Sequence, residues 1–281
     1  MLWERYCQKL FGTSHKMDIA GYTFSLIMGV ILGLLGGGGS ILTVPIMVYA
    51  FGVPALIATS YSLMIVGVSS LIGVYRYAKQ GLIRYKLAGL FLVPSILGVL
   101  ISRLFLLPSL PETLHLLTYS ISQDRFILLF FAFLCLVIAF FMFRSRDVGR
   151  QEALNSIKTP SFFIVGLEGL FVGMVTGFVG AGGGFMIVPA LCLLCHLSIK
   201  EAIASSLFII SLKSLIGFLG DLSIGMMIEW ILLSKIVILT LIGVFIGTLL
   251  NQRLNATKLR QSFAYFIILM AIFMIFKEGL T

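Results

Sequence analysis

Two similar stretches decide the fold of this chain: GLLGGGGSILTVP at residues 33–45 and GFVGAGGGFMIVP at residues 177–189. In each stretch, a run of glycines is followed five or six residues later by a proline. Glycine costs about 1 kcal/mol relative to alanine at each position inside a helix, so these runs predict helix breaks. The apolar pieces that follow, 41–51 and 185–196, each cover only about 17 Å as a helix. Because that is too short to cross a membrane, we predict a half-helix after each break.

The chain around these stretches is strongly apolar. Of its 281 residues, 59% are hydrophobic and 11% are charged, and the mean hydropathy is +1.11. A soluble domain carries about 25% charged residues, so we predict an integral membrane protein. The stretches that are long enough to cross about 30 Å of hydrocarbon are 19–35, 54–75, 87–107, 126–143, 161–179, 202–220, 230–250 and 261–276.

The offset of 144 residues (33 to 177) relates more than the glycine stretches. It superimposes Ser70-Leu-Ile-Gly73 on Ser214-Leu-Ile-Gly217, and a two-residue slip aligns Ala58-Thr59-Ser60 with Ala204-Ser205-Ser206. Ordered matches at one offset indicate an internal repeat. We therefore predict an all-α polytopic membrane protein with about eight transmembrane helices in two homologous halves. The predicted division is a polar N-terminal tail (1–18), a first transmembrane repeat (19–143), a charged linker (144–160) and a second transmembrane repeat (161–276).

The charge distribution bears on partners and on topology. The net charge is +9, but the basic residues lie at the ends of the apolar stretches, as the positive-inside bias predicts, so nucleic acid is not indicated as a partner. The loop 76–86 carries Lys and Arg residues, whereas the matching loop 221–229 has none. Opposite charge at matched loops favours inverted repeats, and four full spans in each half favour parallel ones. Both arrangements stay open.

The glycine runs are the predicted substrate site. A short helix that starts inside the membrane has unpaired backbone N–H groups and a positive dipole end, which together attract an anion. Paired broken helices at matching positions are typical of transporter sites. The glycines predicted to bind substrate are Gly36, Gly37, Gly38, Gly39, Gly180, Gly182, Gly183 and Gly184. Close helix packing is the alternative, and it is the interpretation that we prefer for Gly29-xxx-Gly33 and Gly173-xxx-Gly177.

Polar side chains extend the predicted site. We expect hydroxyl groups to donate to the anion, although membrane Ser and Thr residues also bond back to their own helix. Charged residues inside spans are costly and usually face a cavity. Lys213 would attract the anion and Glu168 would carry a coupling proton, or the two would form a structural pair. The hydroxyl residues predicted to bind substrate are Ser40, Thr59, Ser60, Ser205 and Ser206.

The two glycine–proline stretches, with the Ala-Thr-Ser and Ala-Ser-Ser runs that follow them, resemble the sulfite exporter TauE/SafE family. The resemblance covers about residues 19–276. It implies a permease for small sulfur-containing anions such as sulfite, sulfonates or sulfoacetate. Ala181 departs from an all-glycine run, so the two breaks need not be equivalent.

Enzyme chemistry is not indicated, because the spans contain no paired acidic residues, no metal-ligand spacing and no nucleophile–base set. Cys192-Leu-Leu-Cys195-His196 matches a haem-attachment pattern, but a short apolar segment leaves no room for a domain that encloses haem. We therefore predict buried cysteines and no cofactor or metal.

Together these features predict a multi-pass permease of the cytoplasmic (inner) membrane. It would be of the secondary type and would move a small anion, sulfite or an organosulfonate, by alternating access at the paired glycine breaks. Its expected partners are membrane lipid and the anion, and a homodimer stays open. An anion channel and a non-transporting membrane assembly partner are the alternatives.

Overall fold

The computed structural model describes residues 15–35, 38–111, 113–116, 119–144, 162–195, 197–226, 228–250 and 256–280. In order, its elements are α1 (His15–Leu35), a 3-10 turn (Gly38–Leu42), α2 (Thr43–Phe51), α3 (Ala55–Lys79), α4 (Tyr85–Ile101) continued by a π-helical segment (Ser102–Leu106), β1 (Thr113–Leu116), β2 (Tyr119–Ser122), α5 (Gln123–Arg144), α6 (Phe162–Val179), α7 (Gly184–Leu194), α8 (Ile199–Ser223), α9 (Trp230–Leu250) and α10 (Ala256–Leu280). Of the predicted substrate-binding residues, Gly36 and Gly37 lie outside the described residues, as do most of the N-terminal tail and of the linker.

The long helices fit a multi-pass membrane protein. Within the described ranges, six helices are long and apolar enough to cross a membrane: α3, α4 with its π-helical end, α5, α6, α8 and α9. Helices α1 and α10 lie where the other two spans were expected, and eight spans stay a prediction.

Two short strands depart from the all-α prediction. β1 and β2 form an antiparallel hairpin between α4 and α5, in which Thr113 pairs with Ser122 and Leu116 with Tyr119. The physical reason is visible in the sequence, because Thr-Leu-His-Leu and Tyr-Ser-Ile-Ser alternate polar and apolar residues with the two-residue period of a strand.

Both predicted half-helices are present as short helices. α2 has 9 residues and α7 has 11, which correspond to lengths of about 14 Å and 17 Å. α2 ends at a left-handed glycine, Gly52, whose backbone N–H donates to the carbonyl oxygen of Met47.

Glycines bring two pairs of long helices into backbone contact. A Cβ on Gly29 of α1 would collide with the carbonyl oxygen of Thr240 in α9, and one on Gly173 of α6 with that of Ser95 in α4. Gly33 and Gly177 sit against the same partner helices one turn further on. These contacts confirm close helix packing as the role of both GxxxG patterns.

The same contacts give the relative directions of the helices. α1 and α9 run in the same direction, because Gly29 lies against Thr240 and Gly33 against Val244. α4 and α6 also run in the same direction, whereas α3 and α8 cross in opposite directions. The evidence for that crossing is that Gly67 of α3 lies near Leu215. Gly73, further along α3, lies near the earlier residue Leu207.

The outside of the fold is apolar, and buried polar groups are concentrated on two of its most buried helices. Large apolar side chains are exposed on the outer helices, among them Phe105, Phe133, Phe163, Ile231 and Phe276. A surface of this kind suits lipid rather than water. Buried hydroxyl groups concentrate instead on the two central helices, α3 and α8: Thr59, Ser60, Ser62, Ser69, Ser70, Ser205, Ser206, Ser211 and Ser214. A functional site is therefore expected where α3 and α8 meet the glycine breaks.

Candidate functional site

The second glycine run breaks the helix. α6 ends at Val179 and α7 begins at Gly184. Between them, Gly180, Gly182 and Gly183 have φ angles of 72°, 63° and 76°. Glycine adopts this left-handed conformation without the strain that a Cβ would introduce.

Lys213 lies beside this break. Its Nζ atom is 3.0 Å from the point that a Cβ of Gly183 would occupy, and the side chain is buried with 1% of its surface exposed. The ammonium group donates to Thr176 Oγ1 at 2.7 Å, in the last turns of α6. A cation that sequence reasoning placed inside a span thus reaches the predicted break.

A second cation, Arg103, is buried nearby. It belongs to the π-helical segment that continues α4, and 1% of the residue is exposed. Its Nη1 atom donates to Thr59 Oγ1 at 3.0 Å, to Ser60 Oγ at 3.2 Å and to Asp221 Oδ2 at 3.1 Å. We call these four residues, Arg103, Thr59, Ser60 and Asp221, the Arg103 cluster.

The Arg103 cluster adjoins the second break through Thr59. A Cβ on Gly180 would lie 2.5 Å from the Cα and Cβ atoms of Thr59, so only glycine permits this approach. The two buried cations therefore flank one break, Lys213 at Gly183 and Arg103 at Gly180.

Part of the Arg103 guanidinium has no acceptor among the residues that the structure describes. Its Nε and Nη2 atoms are buried and have no hydrogen-bond partner among the described residues, and the neighbouring Ser102 hydroxyl is in the same condition. A buried donor without a partner is costly, by about 1–3 kcal/mol and more for a charged group. Such groups in a native fold call for an explanation, and a bound ligand is one.

The charges at the break do not cancel. With Lys213 protonated, Arg103 and Lys213 contribute two positive charges, and Asp221 contributes one negative charge. Among the described residues, Arg103 forms an ion pair with Asp221, and their side chains are 0% and 2% exposed. Lys213 forms no ion pair with the described residues. The balance is therefore one positive charge in a buried setting, which attracts an anion.

Three contacts fix the start of α3, which presents Thr59 and Ser60. The backbone N–H of Leu56 donates to Asp124 Oδ1 at 3.1 Å, which places a carboxylate at the positive end of the helix. The Ser60 hydroxyl donates to Met226 Sδ at 2.9 Å, and the backbone N–H of Glu229 donates to the Tyr61 hydroxyl at 2.7 Å. The loop after α8 is thereby anchored on the start of α3.

The remaining predicted hydroxyls lie elsewhere. Ser205 Oγ accepts from the backbone N–H of Arg84 at 3.0 Å, and Ser206 donates to its own helix at Ile203 O. Both are near the start of α8, about 24 Å along the helix from Asp221 near its end. They do not join Thr59 and Ser60 in one cluster.

The first break is only partly described. Its residues Gly38, Gly39 and Ser40 form the 3-10 turn, and Ser40 is buried. The turn packs against α7, so the two glycine stretches are neighbours in the fold.

Glu168 lies away from Lys213. Its half-buried carboxylate lines an open groove of about 590 Å³ whose described lining residues, Ile164 to Met174, all belong to α6. The expected structural pair with Lys213 is not formed, because the described partner of Lys213 is Thr176. Of the cysteines in the haem-like pattern, Cys195 is buried and Cys192 is half-buried.

Two residues of the Arg103 cluster, Arg103 and Asp221, were not predicted from the sequence. Arg103 does fall inside the predicted span 87–107, where an ionisable residue is costly and usually functional, so a signal was present. Asp221 was placed in a loop, whereas α8 continues to Ser223.

Apolar outer helices around a buried, charged centre beside broken helices are typical of membrane transporters. Residues 22–274 match the family described as Sulfite exporter TauE/SafE, and the chain belongs to that family.

Curated relatives carry consistent names. A probable membrane transporter protein of Xylella fastidiosa (strain Temecula1) is 29% identical over 255 residues, which are 90% of this chain and 92% of that protein. The probable membrane transporter protein YdhB of Bacillus subtilis is 23% identical, over 84% of this chain and 91% of its own length. No solved structure matches the chain significantly. Family and relatives together indicate a membrane transporter rather than an enzyme.

Proposed function

We propose that the protein is a secondary permease for a small anion, sulfite or an organosulfonate, and that the anion binds at the second glycine break. The observation that carries the proposal is the pair of buried cations, Lys213 and Arg103, which flank that break, whereas Asp221 is the one buried carboxylate that pairs with either of them among the described residues. Backbone N–H groups at the start of α7 would complete the site. The hydroxyls of Thr59 and Ser60 would act through Arg103, because each accepts from Nη1 and donates its own proton elsewhere, to Leu56 O and to Met226 Sδ. The 3-10 turn of the first break, with Ser40, would contribute from the other half.

Alternating access would use two inverted halves. The directions of the helices support this, because matched helices of an inverted repeat run oppositely, as α3 and α8 do. In repeat order, α1 corresponds to α6 and α4 corresponds to α9. α1 runs parallel to α9, and α6 runs parallel to α4. Each half has four long helices and one half-helix. If the half-helix also reverses the direction of the chain, the five segments of the first half leave the second half in the opposite orientation. Eight full spans, with α1 and α10 included, belong to this proposal.

A repeated contact accompanies this arrangement. Gly73 of α3 lies against Leu207 of α8, and Gly217 of α8 lies against Leu63 of α3. The offset of 144 relates Gly73 to Gly217 and Leu63 to Leu207, so the same contact is made twice with the halves exchanged. One half would rock against the other at this crossing.

The proposal also covers the membrane in which the permease lies and the group that couples transport to protons. We place the permease in the cytoplasmic (inner) membrane, as a monomer or a homodimer. Glu168 would carry a coupling proton from the groove on α6, since its Oε2 atom is buried there without a described partner.

The test is transport by purified protein in liposomes. Saturable uptake and counterflow of sulfite, sulfoacetate, taurine or thiosulfate, absent from empty liposomes, would support the permease. If none of these anions moves, the sulfur assignment fails. Conductance in a planar bilayer without counterflow would support a channel instead. If Gly182→Ala abolishes no flux because the wild type itself has none, a protein that does not transport is supported.

A further inference from the structure

We propose that Arg103 grips the transported anion with its Nε and Nη2 N–H groups, so that the site selects anions with two adjacent acceptor oxygens over spherical anions. This inference rests on the proposed function and names the feature of the anion that the site recognises. Sulfite, sulfonates and carboxylates have such a pair of oxygens, and halides do not.

The Arg103 guanidinium is held at one end by the protein. Nη1 alone serves Thr59, Ser60 and Asp221, at 3.0, 3.2 and 3.1 Å. Three acceptors on one nitrogen hold the planar group in place from one end. The opposite edge, which carries Nε and one N–H of Nη2, has no acceptor in the described part of the chain.

The edge of Arg103 that carries Nε and Nη2 forms a fork of two donors. Nε–H and Nη2–H are parallel donors spaced to match two oxygens of one carboxylate or phosphate-like group. The edge is buried, so its donors have lost water without gaining an acceptor among the described residues. A buried, oriented and unfilled two-donor fork is a site that fits a two-oxygen anion.

The residue before Arg103 carries a further donor. The Ser102 hydroxyl, on the residue before Arg103, is also buried without a described partner and can add a third donor. Gly180 lies against Thr59 without a side chain, and this close contact holds the second break against the Arg103 cluster.

Asp221 neutralises Arg103 when no anion is bound. Its carboxylate lies 3.1 Å from Nη1. Because it occupies the end of the guanidinium and not the fork, an anion can bind without first displacing it. The two negative groups then repel each other across Arg103, which limits affinity and favours release.

The experiment compares Arg103→Lys with wild type in proteoliposomes. Lysine keeps the positive charge and loses the fork. We expect the apparent affinity for sulfite or sulfoacetate to fall about ten- to a hundredfold, the usual effect of losing hydrogen bonds to a charged group. Inhibition by chloride or bromide should strengthen relative to inhibition by acetate and methanesulfonate. Arg84→Lys is the matched control, because Arg84 also pairs with a carboxylate, Glu201, but is 59% exposed.

A second measurement needs no variant. Wild-type transport of the best anion should be inhibited by acetate and methanesulfonate at concentrations at which chloride and bromide have little effect. Equal inhibition by halides would overturn the inference, as would Arg103→Lys transporting with wild-type affinity.

The failure of this inference is distinguishable from failure of the proposed function. If the wild-type protein moves no sulfur anion, the proposed function fails, and thermal shifts with the same panel of oxyanions and halides still test the fork. An oxyanion-specific shift that Arg103→Lys abolishes supports it, and shifts that are equal for halides, or absent for the whole panel, refute it.

Discussion

Replacing Asp221 by alanine should destabilise the protein far more than a comparable change at its surface. The substitution leaves Arg103 buried, charged and bound only to the hydroxyls of Thr59 and Ser60. Removing one partner of a buried ion pair costs about 3–5 kcal/mol, because the remaining charge is uncompensated. At about 2–4 °C per kcal/mol for a chain approaching this size, the unfolding midpoint should fall by roughly 6–20 °C.

The assay is a double-mutant cycle followed by unfolding in mixed micelles. Arg103→Met should be costly for the same reason, since it strands the Asp221 carboxylate. The combination of Arg103→Met with Asp221→Ala removes both charges, so its cost should be at least about 2 kcal/mol less than the sum of the single costs. Arg84→Gln is the control, because the exposed Arg84–Glu201 pair should be worth at most about 1 kcal/mol.

Strict additivity would refute the reasoning. If the double replacement costs the sum of the two single costs within about 0.5 kcal/mol, Arg103 and Asp221 do not interact in the folded protein. A cost at Asp221 no greater than that at Arg84 would show that the pair is solvated and not buried.

Three further predictions concern the breaks and the helix contacts. Gly180→Ala should cost more than Gly225→Ala, because both positions are left-handed but a Cβ collides with Thr59 only at position 180; thermal unfolding with a flux assay checks this, and equal costs would contradict it. Gly173→Ala should weaken the α4–α6 contact and lower the free energy of unfolding, whereas Gly89→Ala, with open space around it, should leave that free energy unchanged or raise it by up to about 1 kcal/mol, the helix propensity of alanine over glycine; thermal unfolding checks both. Lys213→Met should abolish or strongly reduce anion flux with little loss of stability, because only the bond to Thr176 is lost; the exposed Lys235→Met is the control, and wild-type flux in Lys213→Met would remove Lys213 from the site.

Much of the architecture could be predicted because its causes are local. Glycine-rich runs such as GGGG at 36–39 and GAGGG at 180–184 disfavour an uninterrupted helix wherever they occur, so the break before α7 and the short helices α2 and α7 could be predicted from local sequence. The packing role of Gly29 and Gly173 follows from their spacing, since small residues four apart form one face of a helix.

The Arg103 cluster could not be predicted in the same way. Its members come from the start of α3, the end of α4 and the end of α8, and no sequence spacing encodes that meeting. The repeat comparison also drew attention to matched residues, and at the offset of 144 Arg103 and Asp221 match Gly247 and Tyr77, which are different residue types. The hairpin of β1 and β2 was missed because four residues of alternation are a weak signal beside eight long apolar stretches.

The contact between α1 and α9 has a consequence for biosynthesis. Gly29 is made early, and its partner Thr240 follows 211 residues later (240 minus 29), which takes roughly 10–40 s at about 5–20 residues per second. During that interval the backbone face of α1 has lipid, or a temporary neighbour, in place of the helix against which it is shaped. This face of α1 is therefore covered only once α9 has been made, and nascent chains that stop short of α9 should leave α1 accessible to crosslinking from within the membrane.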